Sequence, residues 1–186
     1  MKRICLIIIV IFCLCGCTNE DQSMETAISL RQRILSSESS QYICTIVADY
    51  GSYLTEFSMQ CLYDSDGNMS FTVIKPDTIS QISGSIDAQG GKLSFDDRVL
   101  MFPLMAEGYL SPVSAPWILM KVLRGGFIQS TVQENDEIHV VIGDTFENRS
   151  FQVDVWLDVV GNPRYAEILW EGKRILTVIV TEFICM

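Results

Sequence analysis

The sequence predicts an α+β domain in which a long antiparallel meander of strands is covered by an N-terminal helix and a short apolar central helix. Three observations predict it. From residue 42 onward, most segments alternate apolar and polar side chains with a period of two, the pattern of strands with one buried face. Turn-forming residues separate those segments at hairpin spacing, at 49–52, 64–68, 88–91, 158–163 and 171–174. Two segments, 24–37 and 117–123, instead carry helical spacing or helix-boundary residues.

In the first of these, Ala27, Ile28, Leu30, Ile34 and Leu35 form one apolar stripe with Arg31 and Arg33 between them, and a serine-rich stretch at 36–40 ends it. Segments 42–48 and 53–63 then read as a hairpin. Tyr53, Phe57, Met59, Cys61 and Tyr63 alternate with Leu54, Glu56, Ser58 and Gln60 in its second strand. Met69, Phe71 and Val73 start a strand that Lys75-Pro76-Asp77 breaks. Segments 82–87 and 92–95 make another hairpin, and 99–102 adds a short strand. Asp64-Ser65-Asp66-Gly67 has the look of a calcium loop. It lacks the later bidentate Glu of an EF-hand, so it is read as a turn.

Pro112 and Pro116 introduce the second helix, Arg124 closes its last turn, and Gly125-Gly126 follow. Residues 117–123 are apolar nearly all round, so other elements must cover this helix on several sides. Strands resume at 138–142, 150–158, 164–171 and 175–183. With Asp158 opposite Pro163, Phe151 faces Trp170, Val153 faces Ile168 and Val155 faces Ala166 on the core face. Trp156 and Tyr165 pair on the other face, beside Asp154 and Glu167. The last strand is apolar on both faces, which places it in mid-sheet or under helices.

The first seventeen residues read differently. Lys2 and Arg3 precede an apolar run at 4–14, too short for a membrane-spanning helix of about 20 residues. The ending Leu14-Cys15-Gly16-Cys17 resembles a bacterial lipobox. That resemblance implies cleavage before Cys17 and diacylation of its thiol, and so attachment at the extracytoplasmic face of the cell membrane, or at the outer membrane in a diderm host. The chain then divides into a leader at 1–16, the lipidated Cys17 and a polar tether to residue 23, and a single domain at 24–186.

Loss of Lys2 and Arg3 with the leader lowers the formal net charge from −10 to −12. Such acidity argues against nucleic acid and against electrostatic adhesion to anionic headgroups, leaving the two acyl chains to hold the membrane. Cys5, Cys13 and Cys15 serve only as small hydrophobes of the leader. Beyond the anchor, Cys44, Cys61 and Cys185 form an odd set. In the first hairpin Cys44 faces Met59 and Cys61 faces Tyr42, so the two thiols are diagonal. Free thiols are expected there ahead of a disulfide, and the spacing fits no zinc motif.

An N-terminal helix, an antiparallel meander, an apolar helix between strands and a late Asp-x-x-Gly-x-Pro hairpin (Asp158, Gly161, Pro163) together resemble the LolA/LolB-type lipoprotein carriers and related Gram-positive surface lipoproteins. The resemblance implies a strongly curved, incomplete barrel closed by helices over an apolar cavity. It also implies one of two roles. Carriers hold acyl chains in the cavity; some lipid-anchored relatives, the germination lipoproteins among them, act by binding a partner protein.

Catalysis has little to stand on. His139, the only histidine, alternates with Ile138 and Val140 in a strand, and reads as a sheet histidine, not a general base. No GxSxG elbow, phosphate loop or HExxH is present, and Gly84, Gly90 and Gly91 belong to hairpins. Asp154 and Glu167, as cross-strand neighbours, are expected to raise one carboxyl's pKa. No cofactor or metal is implied. Two functions remain: an amphiphile binder with an apolar cavity, or a scaffold that docks a partner by a sheet face or edge, with Trp156 and Tyr165 as its exposed aromatic patch. Trp117, Met120 and Leu123 line the cavity in the first reading and plug it in the second; their ordinary reading is core packing. An empty space between the short helix and the sheet favours the first, and a filled one the second.

Overall fold

The computed structural model describes residues 19–51, 53–96, 98–106, 109–143 and 152–186. The leader, Cys17, Ser150 and Phe151 lie outside them. Helix α1 (Asn19–Ser36) leads into β1 (Ser39–Asp49), β2 (Leu54–Asp64), β3 (Met69–Lys75), β4 (Ser83–Asp87), β5 (Gly90–Phe95) and β6 (Arg98–Phe102). A two-stranded pair, β7 (Met105–Ala106) and β8 (Tyr109–Leu110), precedes helix α2 (Ala115–Gly125). The chain ends with β9 (Phe127–Glu134), β10 (Glu137–Gly143), β11 (Gln152–Leu157), β12 (Pro163–Trp170) and β13 (Lys173–Cys185).

Eleven strands form one antiparallel, curved and unclosed sheet in the order β6-β5-β4-β3-β2-β1-β13-β12-β11-β10-β9. The first and last strands therefore meet at its centre, each half of the chain paving one wing. Alternation decides which face is inside. In β1, Tyr42, Cys44, Ile46 and Ala48 are buried, and the residues between them are half-buried. The corresponding residues of the other strands join Ala27, Leu30 and Ile34 of α1 and nearly all of α2 in one core. Among the described residues, both helices lie on that face and the opposite face carries none.

The pairing of β1 with β2 puts Cys44 opposite Met59 and Cys61 opposite Tyr42, as the alternation predicts. Cys44, Cys61 and Cys185 are free thiols, the first two buried. Burial, with Cys44 beside it, pushes the Cys61 thiol well above its ordinary pKa. The last strand, β13, sits in mid-sheet.

Four expectations need correction. Helix α1 begins at Asn19, five residues before the expected start at residue 24, so most of the expected tether is helical. A bulge between Trp156 and Leu157 puts Leu157, not Asp158, opposite Pro163. Strand β9 was not expected at all: it is an edge strand whose only buried residue is Thr131, so it leaves no apolar pattern to read. The strand read at 99–102 exists but buries nothing.

Two turns seat the helices. Asp64 Oδ1 accepts the backbone N–H groups of Asp66 and Asn68, and Asp158 Oδ1 those of Val160 and Asn162, in the same Asp-x-x-Gly-Asn arrangement. Gly67 (φ 90°) and Gly161 (φ 79°) supply the left-handed backbone that each turn requires. Arg124 of α2 donates to Asp64 O at 3.4 Å. Arg33 of α1 donates to Gly161 O at 2.7 Å and to Asn162 Oδ1 at 3.0 Å. Arg31 joins the two helices by donating to Leu123 O at 2.9 Å and Gly126 O at 2.7 Å, carbonyls the end of α2 leaves without partners. The Asp158, Gly161 and Pro163 motif is thus a helix seat.

Candidate functional site

Trp117, Met120 and Leu123 come together in the core, where they are 5%, 0% and 4% exposed. Trp117 Nε1 donates to Gly67 O at 2.9 Å, and the Lys121 ammonium lies 5.5 Å from the centre of the indole. Beneath the first turn of α2, the buried Tyr42 hydroxyl donates to Pro116 O at 3.0 Å and lies 3.1 Å from Met69 Sδ. The helix is apolar nearly all round because sheet and α1 cover it, as its composition requires. Among the described residues, eight of the eleven residues of α2 are buried. Two well-formed pockets lie elsewhere, over β1–β6 and at the far ends of β4–β6.

Trp156 and Tyr165 are opposite one another on the uncovered face, as expected, with ring centres 5.2 Å apart. They are half-buried. The cross-strand row continues to His139, whose ring stacks on Trp156 at 4.3 Å and 5°. His139 Nδ1 is 3.5 Å from Glu134 Oε1, and its Nε2 is 3.4 Å from Asp154 Oδ2. That Nε2 is buried and makes no hydrogen bond. Trp156 Nε1 donates to Glu134 Oε2 at 3.2 Å. Next to this row, Tyr165 Oη donates to Glu167 Oε1 at 2.7 Å and Arg174 donates to the same oxygen at 2.6 Å.

The adjacency of Asp154 and Glu167 is real. Its expected consequence is not. Burial pushes the Glu167 carboxyl up, but Arg174 and the Tyr165 hydroxyl outweigh it, and the carboxyl sits below its ordinary 4.5. Glu167 is therefore an ionised, paired carboxylate and not a proton donor. Burial and the same hydrogen bond raise the Tyr165 phenol. Among the described residues, no group of three or more His, Cys, Asp and Glu side chains is placed to hold a metal ion. The arrangement orders a surface and assembles no nucleophile with a base.

A depressed carboxylate stabilises the fold above its unfolded pKa, and that contribution is lost as the pH falls through the lower, folded value. Urea midpoints taken from about pH 6 to about pH 3 should therefore fall more steeply below about 4.5 for wild type than for Glu167→Gln. Parallel curves would show that Arg174 and Tyr165 contribute nothing through Glu167.

The sequence reading missed an exposed apolar run at a sheet edge. Among the described residues, strand β6 pairs only with β5, so its outer main-chain edge has no partner strand there. Val99, Leu100 and Met101 are 65%, 64% and 64% exposed, and Phe95 beside them is also exposed. The run Val-Leu-Met-Phe was visible, but nothing local tells a strand buried on both faces from one buried on neither.

The sequence matches no protein-family model and no curated protein. Solved structures do resemble the chain. An uncharacterized conserved protein from Thermus thermophilus is 12% identical, with a TM-score of 0.47 over 86% of this chain and 87% of that one. A LolA superfamily protein from Nitrosomonas europaea is 12% identical, with a TM-score of 0.42 over 91% and 94%. The Mycobacterium tuberculosis lipoprotein LppX is 10% identical, with a TM-score of 0.41 over 87% and 93%. At such identities no residue role carries over.

Proposed function

We propose that the chain is a non-enzymatic extracytoplasmic lipoprotein, held to the membrane by diacylated Cys17, whose domain docks a partner protein. The observation that carries this reading is the outer edge of β6, which has no partner strand among the described residues. Monomeric sheet proteins ordinarily shorten, charge or cover such an edge, because its unpaired N–H and C=O groups and apolar side chains invite another strand. Here Val99, Leu100 and Met101 remain open on both faces. A partner segment in extended form would add its main chain to β6 and rest side chains on these three. The alternative, carriage of an amphiphile, needs an apolar space under α2, where Trp117, Met120 and Leu123 are buried in the core. The Trp156 and Tyr165 patch supports docking less strongly, because its polar atoms already donate to Glu134 and Glu167.

A photo-crosslinking residue in place of Leu100, in the membrane-anchored protein in cells, should give a discrete protein adduct. The same residue in place of the exposed Ile28 of α1 should not. The adduct should disappear when Val99 and Met101 are both changed to Lys, which charges the edge without touching the core. Equal labelling at positions 100 and 28, with a lipid retained by the membrane-extracted protein in native mass spectrometry, would reject docking at β6 and favour carriage.

A further inference from the structure

We propose that the uncovered face of β1–β6 is a binding trough for an oligosaccharide, neutral or anionic in character. The trough holds about 700 Å³, within the range of pockets that take small ligands. Two neighbouring cross-strand rows build it. In one, Ser70 lies opposite Ser85 and Ser85 opposite Lys92; in the other, Thr72 lies opposite Ser83 and Ser83 opposite Ser94. Gln60 and Gln41 extend the rows onto β2 and β1, and Val99 closes the far end on β6. Six strands at about 4.8 Å spacing make a track of about 24 Å, long enough for a chain of several sugar units.

Three properties select the ligand. The first is hydrogen-bonding capacity. Among the described residues, none of these hydroxyl, amide and ammonium groups makes a side-chain hydrogen bond within the protein. Elsewhere on the same face, Thr45 and Ser58 stand opposite each other and do bond, at 2.8 Å. Hydroxyls serve as both donors and acceptors, and so match a ligand that is itself rich in hydroxyls and amides.

The second is charge. The sequence has 23 acidic residues against 13 basic, yet the trough has no carboxylate and one lysine. Asp87 lines an adjoining pocket of about 420 Å³ that shares Ser85 and Lys92 with the trough. A neutral chain is accepted, an anionic one is favoured by Lys92, and a cationic one gains no partner. The third is direction. The trough crosses strands whose main-chain groups are already paired within the sheet, so an extended peptide finds no ladder there and recognition falls to side chains. Leu62 and Val99 supply apolar contact for the less polar face of a sugar ring.

This proposal is independent of docking at β6, and the test separates them. The full-length protein, in a detergent without a sugar headgroup, is titrated by calorimetry with two probes. One is the hexamer of N-acetylglucosamine; the other is a hyaluronan hexamer, which alternates that sugar with a uronic acid. Both should bind. Changing Thr72→Val, Ser83→Ala and Ser94→Ala together should weaken both by about tenfold or more. Lys92→Met should weaken only the hyaluronan probe. Trp156→Ala and Leu100→Lys, neither of which lines the trough, serve as comparisons and should leave both affinities unchanged. Should the triple variant unfold, Thr72→Val alone, with an unchanged melting midpoint, must still weaken binding. Failure of wild type to bind either hexamer, or equal binding by wild type and a folded Thr72→Val, overturns the proposal. So does a cationic or extended peptide that displaces the sugars from the same residues.

Discussion

Replacing Trp117 with alanine is expected to destabilise the domain by about 3–5 kcal/mol, the range for removing a large aromatic from a core. A domain of this kind has about 5–15 kcal/mol in total, so the variant should be close to unfolding. Three losses combine. The indole is 5% exposed within the core, and its removal leaves a cavity that the neighbouring Ile118, Leu119 and Met120 cannot close without moving α2. Gly67 O loses the N–H that satisfies it at 2.9 Å. The Lys121 ammonium loses the ring beneath it.

Trp117→Phe isolates the second loss: much of the packing survives, and a fall of about 1–3 kcal/mol reports the orphaned carbonyl. Urea midpoints with an unchanged slope are the measurement. This experiment also bears on function. If Trp117→Ala costs less than about 1 kcal/mol, well short of the usual core penalty, the space under α2 is loosely packed and carriage of an amphiphile regains its footing.

How much of this was legible depended on whether the physics was local. The β1–β2 register and the pairing of Val153 with Ile168 and Trp156 with Tyr165 followed from alternation plus one turn, since a hairpin's register is set within its own residues. The α2 boundaries followed from proline and glycine. The pairing of β1 with β13 joins residues more than 130 apart in part of its length, and no local pattern encodes it. Strand β9 escaped because an edge strand with two solvated faces has no apolar period. One signal was readable and went unread: Asp64-x-x-Gly67-Asn68 recurs as Asp158-x-x-Gly161-Asn162, and each copy seats a helix through an arginine. The exposed edge at β6 and the polar trough needed the full strand order. A serine means little until its neighbours across six strands are known.

Changing Cys17 to Ala is expected to abolish membrane attachment. The anchor lies outside the described residues, so sequence and energetics carry the expectation. Two acyl chains give stable binding where a single chain gives only marginal, reversible association. Nothing else in the described chain is suited to replace them. The mature domain is strongly acidic, so an anionic membrane surface repels it, and the described residues contain no helix long and apolar enough to cross a bilayer. Removing the thiol should therefore leave an unprocessed precursor, or release the domain if another peptidase cuts. Cys15→Ala, two residues earlier, should be processed and anchored as wild type, which separates the acylated position from its neighbours. Fractionation and intact mass measure both. Because α1 begins at Asn19, two residues after Cys17, a lipid on Cys17 would be separated from the helix by at most about 7 Å of extended chain, and would hold the domain close to the headgroups. A Cys17→Ala protein that is still cleaved, acylated and sedimented with membranes would end the lipoprotein reading, and with it any function that depends on being held there.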